Sequence, residues 1–223
     1  MYKLFSAAVI LLAAASLSQA HFPFIVPDDK GGAAKVVFSD TLEPDTNVNI
    51  EKIGNTKLTL RDGGGKESPV EWKKGEGHYS LEIPGSGTRT IYGVTDYGVL
   101  QKGDTKPFKL TYYPKAVIGA ATAKEATIGK LPLEVVAVGG GSKVKFQVLA
   151  AGKPLPDSEV MVILPDGAKK TSTTTKEGFT PEYNGAGRYA VYAKQIEAKP
   201  GEHAGKKYDE ARHYATLVCD VGK

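Results

Sequence analysis

Cysteine is nearly absent from this 223-residue chain. Cys219 is the only one, so no intrachain disulfide can form and the fold must be held by burial. Long apolar runs are scarce too. After residue 20 nothing approaches the roughly 20 apolar residues that a membrane-spanning helix needs, so no transmembrane segment is expected in the mature chain. Charge of one sign is never concentrated, because 29 Lys and Arg and 25 Asp and Glu are interspersed. With no basic run or basic-aromatic stripe, nucleic acid is not an expected partner. Gly-x-Ser-x-Gly, His-Glu-x-x-His and a phosphate-binding glycine loop are all missing, which gives an enzymatic reading little support. Gly63-Gly64-Gly65 and Gly139-Gly140-Gly141 have no helix after them and read as turns.

What is present begins with a leader. Lys3, the apolar stretch Ala7 to Ala15, and the small residues Ser18 and Ala20 of Ser18-Gln19-Ala20 make residues 1–20 a secretory signal peptide cleaved after Ala20. A periplasmic or secreted protein is expected. Its first residue is His21, and loss of Lys3 leaves 28 basic against 25 acidic residues, net +3 with histidines neutral.

From residue 30 onward, short β-rich runs are broken by Gly, Pro, Asn and Asp every eight to twelve residues, the pattern of sandwiches and barrels. Among these runs are Val48 to Lys52, Phe108 to Tyr113 and His213 to Asp220. The fold class expected is all-β, with two tandem immunoglobulin-like (prealbumin-like) β-sandwich domains. The boundaries are 21–115 for the first, 116–130 for a linker of small residues, and 131–223 for the second. An internal echo supports the division: Gly75-Glu76-Gly77-His78-Tyr79 and Gly185-Ala186-Gly187-Arg188-Tyr189 share the pattern Gly-x-Gly-x-Tyr. Tyr79 and Tyr189 are candidates for a tyrosine corner, in which the phenol turns back onto the preceding loop.

His21 carries the most chemistry. As a mature N-terminus it offers an α-amine and an imidazole on one residue, two nitrogens that lose their protons near neutral pH and suit Cu(II), Ni(II) or Zn(II). Pro23 has no N–H, so successive backbone amides cannot complete the site and other ligands must come from elsewhere. Candidates are His213 and His78, with His203 in a polar loop behind them. His213 alternates with Ala215, Leu217 and Cys219 along the last strand; His78 alternates with Ser80 and Glu82, away from its own core. A hydrogen-bonded structural histidine and a solvent-exposed one are the respective alternatives. Asp28 and Asp29, and Asp209 and Glu210, are nearby acids that could complete the site or orient an imidazole. Separately, Tyr92, Asp96 and Tyr97 form a candidate surface for a sugar or peptide. Phe108, Leu110 and Tyr112 alternate as core, and Cys219 reads as a buried, inert thiol.

The leader ending directly before histidine, followed by "GKLPLEVVAV", "FQVLAAGKPLPDSEVMVILPDG", "NGAGRYAVYAKQ" and "YDEARHYATLVCDV", resembles the DUF4198 group of bacterial exported proteins. That group resembles periplasmic components of nickel or cobalt uptake systems. The resemblance implies a two-part immunoglobulin-like protein that captures or delivers Ni, Co or Cu, with a membrane transporter as partner. Members of the group often carry an acid after the histidine, whereas Phe22-Pro23-Phe24 follows here. Two other readings stay open at this point: a cell-envelope carbohydrate- or peptide-binding module, and a copper oxygenase built on a T-shaped histidine brace.

Overall fold

The structure is a computed structural model that describes residues 21–122 and 124–222; the expected signal peptide lies outside the described residues. The first half supplies β1 (Phe22–Pro27), β2 (Ala33–Ser39), β3 (Lys57–Arg61), β4 (Glu67–Val70), β5 (Trp72–Lys74), β6 (His78–Glu82), β7 (Arg89–Leu100) and β8 (Phe108–Ile118). The second supplies β9 (Leu133–Gly140), β10 (Lys143–Ala150), β11 (Lys153–Pro154), β12 (Glu159–Ile163), β13 (Lys169–Thr173), β14 (Tyr183–Asn184), β15 (Gly187–Glu197), β16 (Gly201–His203), β17 (Lys206–Tyr208) and β18 (Glu210–Val221). Among the described residues the helical elements are two short 3-10 turns, so the all-β expectation holds.

The strands form three layers. In the middle is an eight-stranded sheet ordered β13-β12-β15-β18-β8-β7-β3-β4. Four of these strands come from each half of the chain. They are joined by ten parallel pairs between β8 and β18, from Phe108 opposite Glu210 to Val117 opposite Cys219. Alternation along both strands then divides the side chains between two cores. On one face Tyr112, Ala116 and Val218 are buried with Phe24 of β1 and Val36 of β2, which belong to the sheet β1-β2-β6-β5. On the other, Tyr113, Val117, Leu217 and Cys219 are buried with Val135 of β9 and Phe146 of β10. The two halves thus share one sheet.

The stretch expected to be a linker is held down. Residues 116–118 still belong to β8, and Ala121, Ala126, Ile128 and Leu131 are buried in the second core. Beneath them Lys115 Nζ donates to Glu134 Oε1 at 2.6 Å and to the Ala126 carbonyl at 3.2 Å. The same carboxylate accepts the amides of Ile128 and Gly129, each at 2.8 Å. Both charges are almost fully buried, and burial, with a smaller push from Arg61, drives the Lys115 ammonium below the usual lysine range against the pull of Glu134. Such a pair survives burial because the opposite charge and these hydrogen bonds offset the lost solvation. Arg61, donating to the Thr127 carbonyl, and Lys130, paired with Glu67, tie the segment to β3 and β4.

Two local expectations differ from the structure. Val48 to Lys52 is not a strand: Asn47 donates its amide to Asp45 Oδ1, and Asn49 Oδ1 caps a 3-10 turn over Ile50–Ile53. Asn and Asp side chains compete for the backbone there and override the β-branched residues. Tyr189 makes the expected corner, its phenol donating to the Gly185 carbonyl at 2.9 Å. Tyr79 does not; its ring stacks on Trp72 with centroids 4.2 Å apart and its hydroxyl abuts Gly54. Finally, β1 forms despite two prolines. It is an edge strand, where a missing N–H is tolerated, and Thr216 Oγ1 donates to the Pro23 carbonyl at 2.7 Å.

Candidate functional site

Edge strand β1 delivers His21 to one end of the first core. Its neighbour Phe22 stacks on Tyr192 at 4.1 Å and meets Tyr214 at 5.5 Å, which pins the start of the strand to β15 and β18. Tyr112 Oη donates to the His21 carbonyl at 3.4 Å, and the imidazole lies 6.0 Å from the Phe38 ring. His21 Nε2 is 3.1 Å from Asp45 Oδ2. The Asp45 carboxyl is held below the usual carboxylate range by the Asn47 amide first and His21 second, so it is ionised and accepts from the ring. A carboxylate on Nε2 fixes the tautomer that leaves Nδ1 free as a lone pair. The acid that sequence reading looked for beside His21 therefore comes from the loop after β2.

Next to His21 opens a cavity of about 340 Å³. Phe38, Tyr97, Tyr112 and Tyr214 supply aromatic surface, Phe108 and Leu110 the floor. Tyr97 meets Tyr112 edge to face at 5.5 Å, and Phe38 meets Tyr112 likewise at 6.0 Å. Burial raises the Tyr112 and Tyr97 phenols above the ordinary tyrosine range, so both stay protonated donors. Lys52, Lys102 and Arg212 complete the lining, and the Arg212 guanidinium sits 3.6 Å over the Phe108 ring. Among the described residues, no Asp or Glu lines this cavity.

His213 lies on the opposite face of the central sheet. Register places Gln195, His213, Thr111 and Asp96 in one row across β15, β18, β8 and β7. Tyr113 Oη is 2.8 Å from His213 Nδ1 and the two rings stack at 5.8 Å. Burial lowers the His213 pKa, with Glu197 opposing and Lys199 and Lys109 reinforcing the shift. Asp96 Oδ2 contacts His203 Nε2 at 3.2 Å and Lys109 Nζ at 3.7 Å.

The structure therefore separates residues that the sequence suggested together. A sheet stands between His21 and His213. His78 of β6 pairs with Val37 of β2, whereas His21 lies beyond the pair between Phe22 of β1 and Ser39 of β2. Two strand spacings and three residues put their backbones about 14 Å apart. Asp28 Oδ1 accepts the Gly32 amide in a turn, Asp209 is exposed, and Glu210 pairs with Arg212. Tyr92 is buried in the second core and Asp96 shares its face, whereas alternation puts Tyr97 on the first face with Ile91. Asp45, Phe38, Tyr214, Arg212 and the two lysines were not singled out from sequence. The Phe108-Leu110-Tyr112 alternation was legible, and it is both core and cavity wall.

Among the described residues, no three His, Cys, Asp or Glu converge into a group that could hold a metal ion by themselves. No protein-family model matches the chain, and no curated protein matches it in sequence.

Proposed function

We propose that the protein, exported and cut before His21, binds Ni(II), Co(II) or Cu(II) through that residue and acts in capture or delivery, with a membrane transporter as recipient. The observation that carries this reading is the 3.1 Å contact between His21 Nε2 and Asp45 Oδ2. With Nε2 so occupied, Nδ1 and the α-amine can close a six-membered chelate ring on one ion, while Pro23 denies the ion a further backbone amide. A metal held in this way has two nitrogens from the chain and open positions beyond them. The oxygenase reading lacks its second imidazole, because His213 and His203 are across the sheet or tied to Asp96 and His78 is two strands away.

The test is native mass spectrometry of protein beginning at His21, titrated with Ni(II), Co(II), Cu(II) and Zn(II). One equivalent bound by the wild type, lost in His21→Ala and weakened in Asp45→Asn, is the expected result. Equal binding in wild type and His21→Ala would sink the proposal. The aromatic cavity favours a second reading, a module for a sugar or peptide, for which metal-free binding that is lost in Tyr97→Ala is the expected signature.

A further inference from the structure

The cavity and His21 are neighbours, yet their preferences in charge are opposite. A chelating histidine wants a dication. The cavity beside it offers Lys52, Lys102 and Arg212 and, among the described residues, no carboxylate in its lining. Arg212 is partly neutralised by Glu210, but neither Lys52 nor Lys102 makes an ion pair among the described residues, and both are exposed at the mouth. Three cations so placed disfavour a bare metal ion and favour an anion. The volume, about 340 Å³, is that of a small-molecule site rather than a hydrated ion. Its walls carry the sparse polar groups such sites use: the Tyr97 and Tyr112 phenols and the side chains of Asn47 and Asn49.

Coordination chemistry points the same way. The chain offers His21 as a two-nitrogen chelate and no converging set of three acidic, histidine or cysteine ligands among the described residues. Nickel and cobalt that take six donors, or copper that takes four or five, must fill the remaining positions with groups the protein does not own. Carboxylate oxygens serve for that, and they also carry the negative charge that the lysines lack.

We infer that the metal is taken as an anionic chelate: a small di- or tricarboxylate occupies the aromatic, cationic cavity and shares its metal ion with His21. This rests on the proposal that His21 binds the metal. Specificity would then be for the complex, since the organic part touches Lys52, Lys102 and the tyrosines while the ion meets His21.

Equilibrium dialysis with doubly labelled nickel citrate separates the two claims, using the full chain beginning at His21. Expected is retention of nickel and citrate together, one to one, at concentrations where citrate alone is not retained. Lys52→Met and Lys102→Met, both exposed and outside the fold's core, should each weaken capture of the complex roughly ten-fold, the loss of one hydrogen bond to a charged group. Neither change should weaken the binding of nickel chloride, since removing a cation from the mouth does not disfavour a bare dication. If citrate strips the nickel and nothing ternary is retained, the inference is overturned while nickel binding by His21 stands. If citrate is retained equally with and without nickel, the cavity is an anion site and the inference is again overturned. Failure to retain nickel in any form would instead overturn the function proposed above.

Discussion

Tyr113 and His213, one hundred residues apart in sequence, meet at 2.8 Å across the parallel seam between β8 and β18. Their contact is made on the second face of the central sheet, while Tyr112 one residue earlier reaches His21 on the first. The seam is thus where the two halves of the chain, two cores and two groups of polar residues are joined.

His213 should make the protein more sensitive to mild acid. Burial lowers its folded pKa, so the unfolded chain takes up the proton first; the groups around it are Glu197, which opposes the shift, Lys199 and Lys109, which reinforce it, and Tyr113, Thr111, Asp96 and Tyr208. The sign follows: this stability is fully present above the ordinary histidine value of about 6.5 and is lost as pH falls through the lower folded value. Urea midpoints between pH 7.5 and 5 should decline in the wild type and decline less in His213→Gln; parallel curves would refute the assignment.

Breaking the Lys115–Glu134 pair from one side should be severe. Lys115→Met leaves a buried carboxylate with two amide donors but no counter-charge, and a loss of about 3–5 kcal/mol is expected from chemical denaturation. Removing both charges in Lys115→Met/Glu134→Gln should recover part of that loss. A double variant as unstable as the sum of the singles would show that the two side chains act independently.

Glu67 ties the connecting segment to β4 and should report acid unfolding. Hydrogen bonds from Lys130 first and Arg61 second lower its carboxyl to about 2. Its folded pKa is depressed, so the stabilisation is present above the ordinary glutamate value of about 4.3 and disappears as pH falls toward 2. Glu67→Gln should be less stable at neutral pH and should lose less between pH 4.5 and 2, read by fluorescence of Trp72 during acid titration.

Cys219 should be chemically silent until the fold opens. It is 1% exposed, and burial pushes its thiol up to about 12. Thiolate is the reactive form, so iodoacetamide at pH 8 should modify native protein far more slowly than urea-unfolded protein. Equal rates would place the last strand outside the core.

Tyr189→Phe should cost about 1 kcal/mol, since it deletes the phenol that donates to the Gly185 carbonyl and leaves the ring in place. Thermal or urea unfolding would measure it, and a neutral effect would remove the corner from the list of stabilising contacts.

How much of this was legible depends on the range over which each determinant acts. Alternation is local, and it told truly that Phe108, Leu110 and Tyr112 share a face, that His213 travels with Ala215, Leu217 and Cys219, and that the thiol is buried. Tyr189 declared its corner through the glycines before it. The same glycines misled for Tyr79, because Trp72 was there to stack on. Asx turns around Asp45 were equally local but overridden in reading by the β-branched residues beside them.

What no local pattern could reveal is which strands become neighbours. The chain by itself specifies β strands and their inward faces, because side-chain period depends on adjacent residues. That Asp45 rather than an adjacent acid reaches His21, that the central sheet runs unbroken through both halves, and that His21 and His213 face away from each other was settled by pairing across the fold. Such pairing is chosen by the burial of whole faces, a free energy that exists only once distant strands have come together.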